Sequence, residues 1–335
     1  MTAAGPDAGA GRTAGEGRAV GAGLAVSGLR VTYGAPGGGT LTAVDGVSLS
    51  VPPGRALGLV GESGCGKTTV ARSIVGLVAP DAGEVSLDGE RLGPRRSRAE
   101  QRAVQMVFQD PYSSLNPRLT VRRVLTQLLA VHQLATGAAA EQRCAELMEL
   151  VGLPADALDR LPGSFSGGQR QRVAIARALA VEPRVLVADE PVSALDVSVQ
   201  AVILGVFSQL QEQFGIGLLL ISHNLAVVRR VCDEVAVMYL GRIVELADRD
   251  AIFSDPRHPY TRALLAAAPR LHGEAGPVPI RLEVPTDAHR PSGCAFHPRC
   301  PLATDLCRAE DPVLAPVAAR PGHLAACHYR DEPPG

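Results

Sequence analysis

The sequence predicts an α/β fold, a mainly parallel sheet covered by helices on both faces. Three observations carry this. From residue 56 onward, apolar strands alternate with helical stretches, the order that builds a parallel sheet. Two of those strands, "RVLVAD" and "GLLLIS", are continuously apolar, as strands buried on both faces are. The stretch "GLVGESGCGKTTVARS", residues 58–73, passes from strand to helix through a glycine-rich turn.

The elements follow in order. Residues 1–23 are rich in Gly and Ala, lack an apolar signal-peptide core and are expected to be a flexible tail. Between Leu24 and Val60, "LAVSGLRVTYG", "LTAVDGVSLSV" and "RALGLVG" predict strands joined by turns, with "GAPGGGT" as a hairpin tip. Thr68 to Val78 predicts a helix ending near Pro80, and "GEVSLDG" and "VQMVFQ" two further strands. Over residues 111–165 the period changes. "VRRVLTQLLAVHQL" and "AAEQRCAELMELVGL" place apolar residues at helical spacing, so a helical insertion is expected there. A helix over 168–180, the strand "RVLVAD", a helix over 197–213, "GLLLIS", a short helix and "EVAVMYLGRIVEL" complete a domain spanning 24–255. From about Pro256, Pro, His and Cys accumulate and periodicity is lost, so 256–335 is expected to be a separate extension.

Composition narrows the function. A chain of 335 residues that is 46% hydrophobic has ample material for a core, and its net charge of −1 gives no basic field, so no nucleic-acid partner is expected. No apolar run approaches the ~20 residues that span a bilayer. The chain is therefore expected to be cytosolic, where disulfides are rare. Of seven cysteines, Cys294, Cys300, Cys307 and Cys327 crowd near the C-terminus, whereas Cys65, Cys144 and Cys232 are expected to be ordinary buried or loop thiols.

One residue stands out against this composition. The 33 basic residues comprise 32 Arg and one Lys, and that lysine is Lys67. Arg is a planar fork and Lys a compact ammonium on a thin stem, so the position asks for a point charge inside a tight loop. Gly61 to Thr68 fits Gly, four residues, Gly-Lys-Ser/Thr, between a strand and a helix. In that pattern Gly61, Glu62, Ser63, Gly64, Cys65, Gly66, Lys67, Thr68 and Thr69 form a phosphate cradle. Lys67 reaches the β- and γ-phosphates of a nucleotide, and the Thr68 hydroxyl ligates Mg²⁺. A second site candidate ends the strand "RVLVADEP": Asp189 is expected to hold Mg²⁺ and Glu190 to polarise the attacking water. Strand alternation would point the two carboxylates in different directions.

"SFSGGQRQRVAIARALA", residues 164–180, resembles the signature motif of ABC-transporter ATPases, with Ser166, Gly167, Gly168 and Gln169 matching and Phe165 where Leu is commoner. Further matches stand in the family's order. Tyr33 resembles the aromatic that stacks on adenine and Gln109 the glutamine that senses Mg²⁺ and links to the membrane partner. Ser193–Asp196 in "PVSALD" resembles the loop that crosses to a second subunit, and His223 the histidine that contacts the γ-phosphate. The resemblance covers roughly 24–260. It implies a P-loop NTPase of the ABC cassette type, with a mainly parallel core, an antiparallel β subdomain and a helical subdomain. It also implies ATP hydrolysis with Glu190 as base, at a site completed by a second cassette's signature.

"VFQDPYSSLNPRLTV" and "DEPVSALDVSVQA" resemble the oligopeptide/dipeptide importer branch, which includes nickel-uptake ATPases, and "HPYTRALL" and "GCAFHPRCPLATDLC" resemble its C-terminal extension. The implied partners are a second ATPase subunit, usually a paralogue, two membrane permease subunits and, indirectly, an extracytoplasmic solute-binding protein. The implied location is the cytoplasmic face of the membrane. In that branch the four cysteines are similar to those carrying a 4Fe–4S cluster. By residue type alone zinc fits equally well, with His289, His297, His323 and His328 nearby. An exporter shares every catalytic residue. A non-transport ABC ATPase would need coiled-coil arms, and no sustained heptads are present.

Overall fold

The computed structural model describes residues 23–34, 39–110, 114–193, 195–267, 291–318 and 320–332. The expected tail up to residue 22, the tip 35–38 of the first hairpin and His289 lie outside them. Strands β1 (Leu24–Gly34) and β2 (Thr40–Val51) pair antiparallel, Leu24 opposite Val51. The chain then leaves through β3 (Ala56–Val60) and helix α1 (Lys67–Ile74) and returns with β4 (Ala82–Leu87) and β5 (Glu90–Arg91). The result is a four-stranded antiparallel sheet, β2-β1-β4-β5.

Helix α2 (Arg98–Ala103) leads into β6 (Val104–Val107). Across the stretch where helices are expected lie α3 (Val121–Val131), α4 (Gly137–Leu150) and short 3₁₀ turns at Ala155–Asp159 and Pro162–Ser164. Then α5 (Gly167–Leu179), β7 (Val185–Asp189), α6 (Val197–Phe214), β8 (Gly217–Ile221) and α7 (Leu225–Val231) alternate. β9 (Glu234–Tyr239) and β10 (Arg242–Asp248) form a hairpin. Its turn puts Leu240 and Gly241 at φ 41° and 83°, as a two-residue hairpin loop requires. Helices α8 (Arg249–Ser254), α9 (Pro259–Ala267) and α10 (Asp305–Ala309) and strands β11 (Ala315–Val317) and β12 (Arg320–Ala325) follow.

The second sheet runs β11-β12-β10-β9-β3-β8-β7-β6. β9, β3, β8, β7 and β6 are mutually parallel, as the continuously apolar runs predict. Every residue of β3, β7 and β8 is buried. Alternate residues serve opposite faces: Leu186 and Ala188 pack into the cluster with α3 to α7, Val185 and Val187 into the one beneath the antiparallel sheet. Each such Val or Leu side chain contributes roughly 1.5–3 kcal/mol on burial.

Two differences from the sequence reading have local causes. Helix α1 stops at Ile74, before the expected Val78, because Gly76 at φ 79° turns the chain and Leu77 N–H bonds back to Arg72 O at 2.8 Å. The region beyond Pro256 is continuous with the core sheet: β12 pairs antiparallel with β10, Glu245 opposite Ala325. The link is polar, so apolar periodicity does not announce it. Glu245, fully buried in β10, accepts from the N–H groups of Arg257 (2.6 Å) and His258 (3.0 Å) and meets His323 Nε2 of β12 at 2.6 Å.

Candidate nucleotide site

The site forms where β3, β7 and β8 end, since the carboxyl edge of such a sheet is where helix N-termini and loops gather. After β3 the loop 61–66 curls tightly. Gly61 (φ 154°) and Gly66 (φ 104°) adopt conformations L side chains avoid, and a Cβ on either would sit 2.2 Å from a carbonyl oxygen, of Met238 and Ala43 respectively. Lys67, only 5% exposed, bends back into this loop, its ammonium donating to Gly61 O at 2.9 Å and Glu62 O at 2.7 Å, with Cys65 Sγ at 3.6 Å. Burial raises the Cys65 thiol above its ordinary value, against the pull of Lys67, so Cys65 stays a thiol lining the loop.

Beside the lysine, Thr68 Oγ1 donates to Asp189 Oδ1 at 3.3 Å. Asp189 is buried at the end of β7, and its burial raises the carboxyl pKa while the Thr68 hydrogen bond lowers it. Glu190 departs from the sequence reading in its cause. It does not continue the strand but turns at φ 45°, a left-handed conformation rare for a side-chain-bearing residue, with its N–H held by Ile221 O at 2.9 Å. That turn, rather than strand alternation, separates the two carboxylates. The Glu190 carboxylate is then gripped from both sides: Gln109 Nε2 donates at 3.0 Å and His223 Nδ1 lies 3.0 Å away. A stretch following β6, one following β7 and one following β8 thus supply Gln109, Glu190 and His223 to one spot.

The other candidates sit apart from this cluster. Tyr33 is 39% exposed on β1. Ser166 and Gln169 bond each other, Ser166 Oγ accepting from Gln169 N–H at 3.3 Å and Gln169 Oε1 from Ser166 N–H at 3.1 Å, a capping box that starts α5. Gly168 lets α5 approach α6, since a Cβ there would lie 2.3 Å from Val199 Cγ1. Phe165 is buried in the core, with the Arg160 guanidinium 4.3 Å from its ring centre. Asp196 caps α6 through Val199 N–H at 2.9 Å, and the Ser198 hydroxyl holds its carboxyl below the usual range. Sequence reasoning misses Tyr260 and Arg299, which reach the loop from 198 and 237 residues away and bond Glu62.

For Mg²⁺ the donors fit in kind: the Thr68 hydroxyl, the Asp189 carboxylate and the Gln109 amide carry the hard oxygens this cation prefers. For the C-terminal thiols the outcome differs. Cys294, Cys300, Cys307 and Cys327 line one cavity of about 40 Å³. Burial pushes Cys294 up to about 11 and raises Cys300 and Cys327 as well. Among the described residues, no three His, Cys, Asp or Glu side chains are arranged to hold a metal ion. The arrangement therefore does not support the expected cluster or zinc.

Comparison with known proteins bears on the whole chain. Residues 44–193 match the family described as ABC transporter, and residues 244–307 that described as oligopeptide/dipeptide transporter, C-terminal region. The chain is 51% identical over 296 residues to a probable peptide ABC transporter ATP-binding protein of Sinorhizobium fredii, covering 86% of this chain and 82% of the relative. It is 46% identical over 295 residues to the di/tripeptide transport ATP-binding protein DppF of Pseudomonas aeruginosa, covering 87% and 90%. Among solved structures it matches the ATP-binding cassette MJ0796, in a dimeric post-hydrolysis state bound to ADP and Pi, with TM-score 0.61 and 28% identity over 68% of this chain and 98% of that one. It matches cbiO1 of Clostridium perfringens, part of the transporter complex cbiONQ, equally well at TM-score 0.61, with 27% identity over 69% and 90%. Identity near one half across more than four-fifths of both lengths, on a cassette fold with its phosphate loop and signature in sequence order, leaves one assignment: the chain belongs to the ATP-binding proteins of ABC transporters, in the branch that carries the oligopeptide/dipeptide transporter C-terminal region.

Proposed function

We propose that the chain is the ATP-hydrolysing subunit of an importer that takes up oligopeptides or dipeptides through separate membrane permease subunits. The observation that carries the catalytic half is the convergence of Gln109 and His223 on the Glu190 carboxylate, next to Lys67, Thr68 and Asp189. The substrate half rests on the match of residues 244–307 and on the peptide-transport relatives.

In this reading the Lys67 ammonium leaves the Gly61 and Glu62 carbonyls for the β- and γ-phosphates of ATP, exchanging two neutral acceptors for charged ones. Glu190 takes the proton of the attacking water, while Gln109 and His223 hold its carboxylate in line and His223 meets the γ-phosphate. Thr68, Asp189 and Gln109 would hold Mg²⁺, which neutralises phosphate charge. Tyr33 stacks on adenine. Ser166, Gly167, Gly168 and Gln169 serve the phosphates of a second cassette, a paralogue, and Asp196 lies in the loop that crosses to it. Among the described residues no helix is long and apolar enough to cross a membrane. By its likeness to peptide-transport ATP-binding proteins the chain would act on the cytoplasmic face, docked on two permease subunits near Gln109 and residues 111–165 and served by a solute-binding protein outside. The 4Fe–4S or zinc reading of the four cysteines rests on their sequence resemblance alone; iron and zinc content, with the visible absorption of the purified chain, tests it.

Glu190→Gln tests the mechanism. The amide keeps the shape and both neighbours but cannot take a proton. With the partner cassette present, ATP binding should persist while phosphate release falls by about 10²–10⁴-fold, the usual share of a positioned base. Unchanged hydrolysis would reassign the base.

A further inference from the structure

Every polar group of Glu62 is engaged, each in a different direction. Its carbonyl accepts from the Lys67 ammonium at 2.7 Å. Its N–H donates to the Tyr260 hydroxyl at 2.9 Å. Its carboxylate takes a two-pronged bond from the Arg299 guanidinium, Nη1 to Oε2 and Nη2 to Oε1, both 2.8 Å. Tyr260 and Arg299 both belong to the region beyond Pro256, so the tail of the chain holds the phosphate loop.

The holders are themselves rigid. Tyr260 is 1% exposed in α9 and Arg299 7% exposed, at the end of a 3₁₀ turn, His297–Arg299. Tyr260 packs on Tyr239, the last residue of β9, with ring centres 4.6 Å apart, and on Phe296 at 5.5 Å. The Arg299 guanidinium lies 5.7 Å from the ring centres of both Tyr239 and Phe296. Tyr260 N–H bonds His258 Nδ1 at 3.1 Å, and the His258 N–H bonds the buried Glu245 of β10 at 3.0 Å. The restraint on Glu62 is thus anchored in the core sheet.

We propose that Arg299 and Tyr260 are positioning residues for ATP binding, acting through Glu62 to hold the loop open around Lys67. The proposal rests on the ATP site assigned above. Fixing the 61–62 peptide plane and the Glu62 side chain spares a nucleotide the cost of ordering the loop, which an unrestrained loop would meet on each binding event. A two-pronged charged bond also restrains orientation in a way a single contact does not. Both residues bond Glu62 and not the Lys67 ammonium, so the effect falls on affinity.

The test uses the full chain and a fluorescent ATP analogue, with thermal unfolding measured in parallel. Arg299→Gln is expected to weaken analogue binding about tenfold, which corresponds to about 1.4 kcal/mol. Arg299→Lys should recover little, because an ammonium cannot make the fork. Tyr260→Phe, which deletes one oxygen from a packed ring, should weaken binding about threefold and tests the idea even where Arg299→Gln fails to fold. In a Glu62→Gln background, Arg299→Gln should add almost nothing, since its effect passes through that carboxylate. A role limited to holding the fold would lower the unfolding midpoint and leave affinity unchanged. Wild-type affinity in both Tyr260→Phe and Arg299→Gln, or full additivity of Glu62→Gln and Arg299→Gln, overturns the proposal. A wild-type chain that binds no nucleotide, or a Lys67→Ala variant that binds as well as wild type, overturns the ATP site itself.

Discussion

Replacing Lys67 with Arg keeps the charge and changes only its shape, so it separates two explanations for the chain's single lysine. The structure sets the available room. The ammonium sits 2.9 Å and 2.7 Å from the Gly61 and Glu62 carbonyls and 3.6 Å from Cys65 Sγ, on a side chain 5% exposed. The loop cannot widen away from it, because Gly61 and Gly66 already press against the backbone at Met238 and Ala43. A guanidinium brings extra heavy atoms into that space, and overpacking a tight site costs about 1–3 kcal/mol. Misdirecting one charge-assisted hydrogen bond to phosphate costs about 1.5–3 kcal/mol more. The sum, about 2.5–6 kcal/mol, predicts ATP affinity at least about 70-fold below wild type. Titration with a fluorescent ATP analogue measures it, with Lys67→Met as the uncharged comparison. If shape matters as much as charge, Arg and Met bind about equally poorly. A Lys67→Arg chain that binds ATP within threefold of wild type refutes the reasoning, and the lone lysine would then be an accident of composition.

Two further outcomes follow from packing and protonation. Gly168→Ala drives a methyl to 2.3 Å from Val199 Cγ1, and after the small helix-propensity gain of Ala it should destabilise the fold by about 1–2 kcal/mol in urea unfolding. Adding Val199→Ala should restore most of the loss, and a Gly168→Ala chain as stable as wild type would show that α5 and α6 have slack. Burial pushes His258 down to about 4, against the pull of Glu245. Its unfolded value is near 6.5, so across pH 6.5 to 4 the unfolded chain binds a proton that the folded chain does not, and stability falls as pH falls through that window. From pH 7 to 5 the advantage of wild type over His258→Asn should shrink by about 2 kcal/mol, and an equal gap at both pH values would show that the imidazole is not buried neutral.

The parts of the site that were legible in the sequence are those whose constraint is local. The loop 61–68 announces itself because glycine is needed where the backbone turns left-handed and closes on its neighbours, and because one ammonium is needed inside it. Asp189 is legible as the polar end of an apolar strand, and Ser166 with Gln169 as a Ser-x-x-Gln start to a helix. Helix α2 carries the same signal, Ser97 capping Glu100, but shows no apolar face because it is six residues long and buries none of them. What the sequence did not reveal is either conformational or distant. The turn at Glu190 has no residue signature, since Glu is an unusual occupant of φ 45°. The joining of β12 to β10 is secured by a buried acid and a histidine 78 residues apart, invisible to any search for apolar period. The same holds for the pairing of Arg299 with Glu62.

Charge bookkeeping explains why the site, as one chain presents it, is unfinished. Among the described residues, the group formed by Lys67, Thr68, Asp189 and Glu190 holds one cation beside two carboxylates. A triphosphate adds several more negative charges in a pocket with buried walls, where uncompensated charge is costly. Mg²⁺ offsets part of this. The rest calls for donors that carry no counter-charge of their own, and a helix N-terminus is such a group. The start of α5 qualifies: the first N–H groups of a helix lack intrahelical partners, Ser166 caps only that of Gln169, and Gly167 and Gly168 carry no side chains to block approach. On its own chain that helix start is bonded to no member of the Lys67 cluster among the described residues. Electrostatics thus favours a second copy of the motif, on a partner cassette, meeting phosphates held by Lys67. In the proposed assembly each ATP lies between two chains, and hydrolysis, by splitting the charge it shares, loosens the contact that transmits force to the membrane subunits.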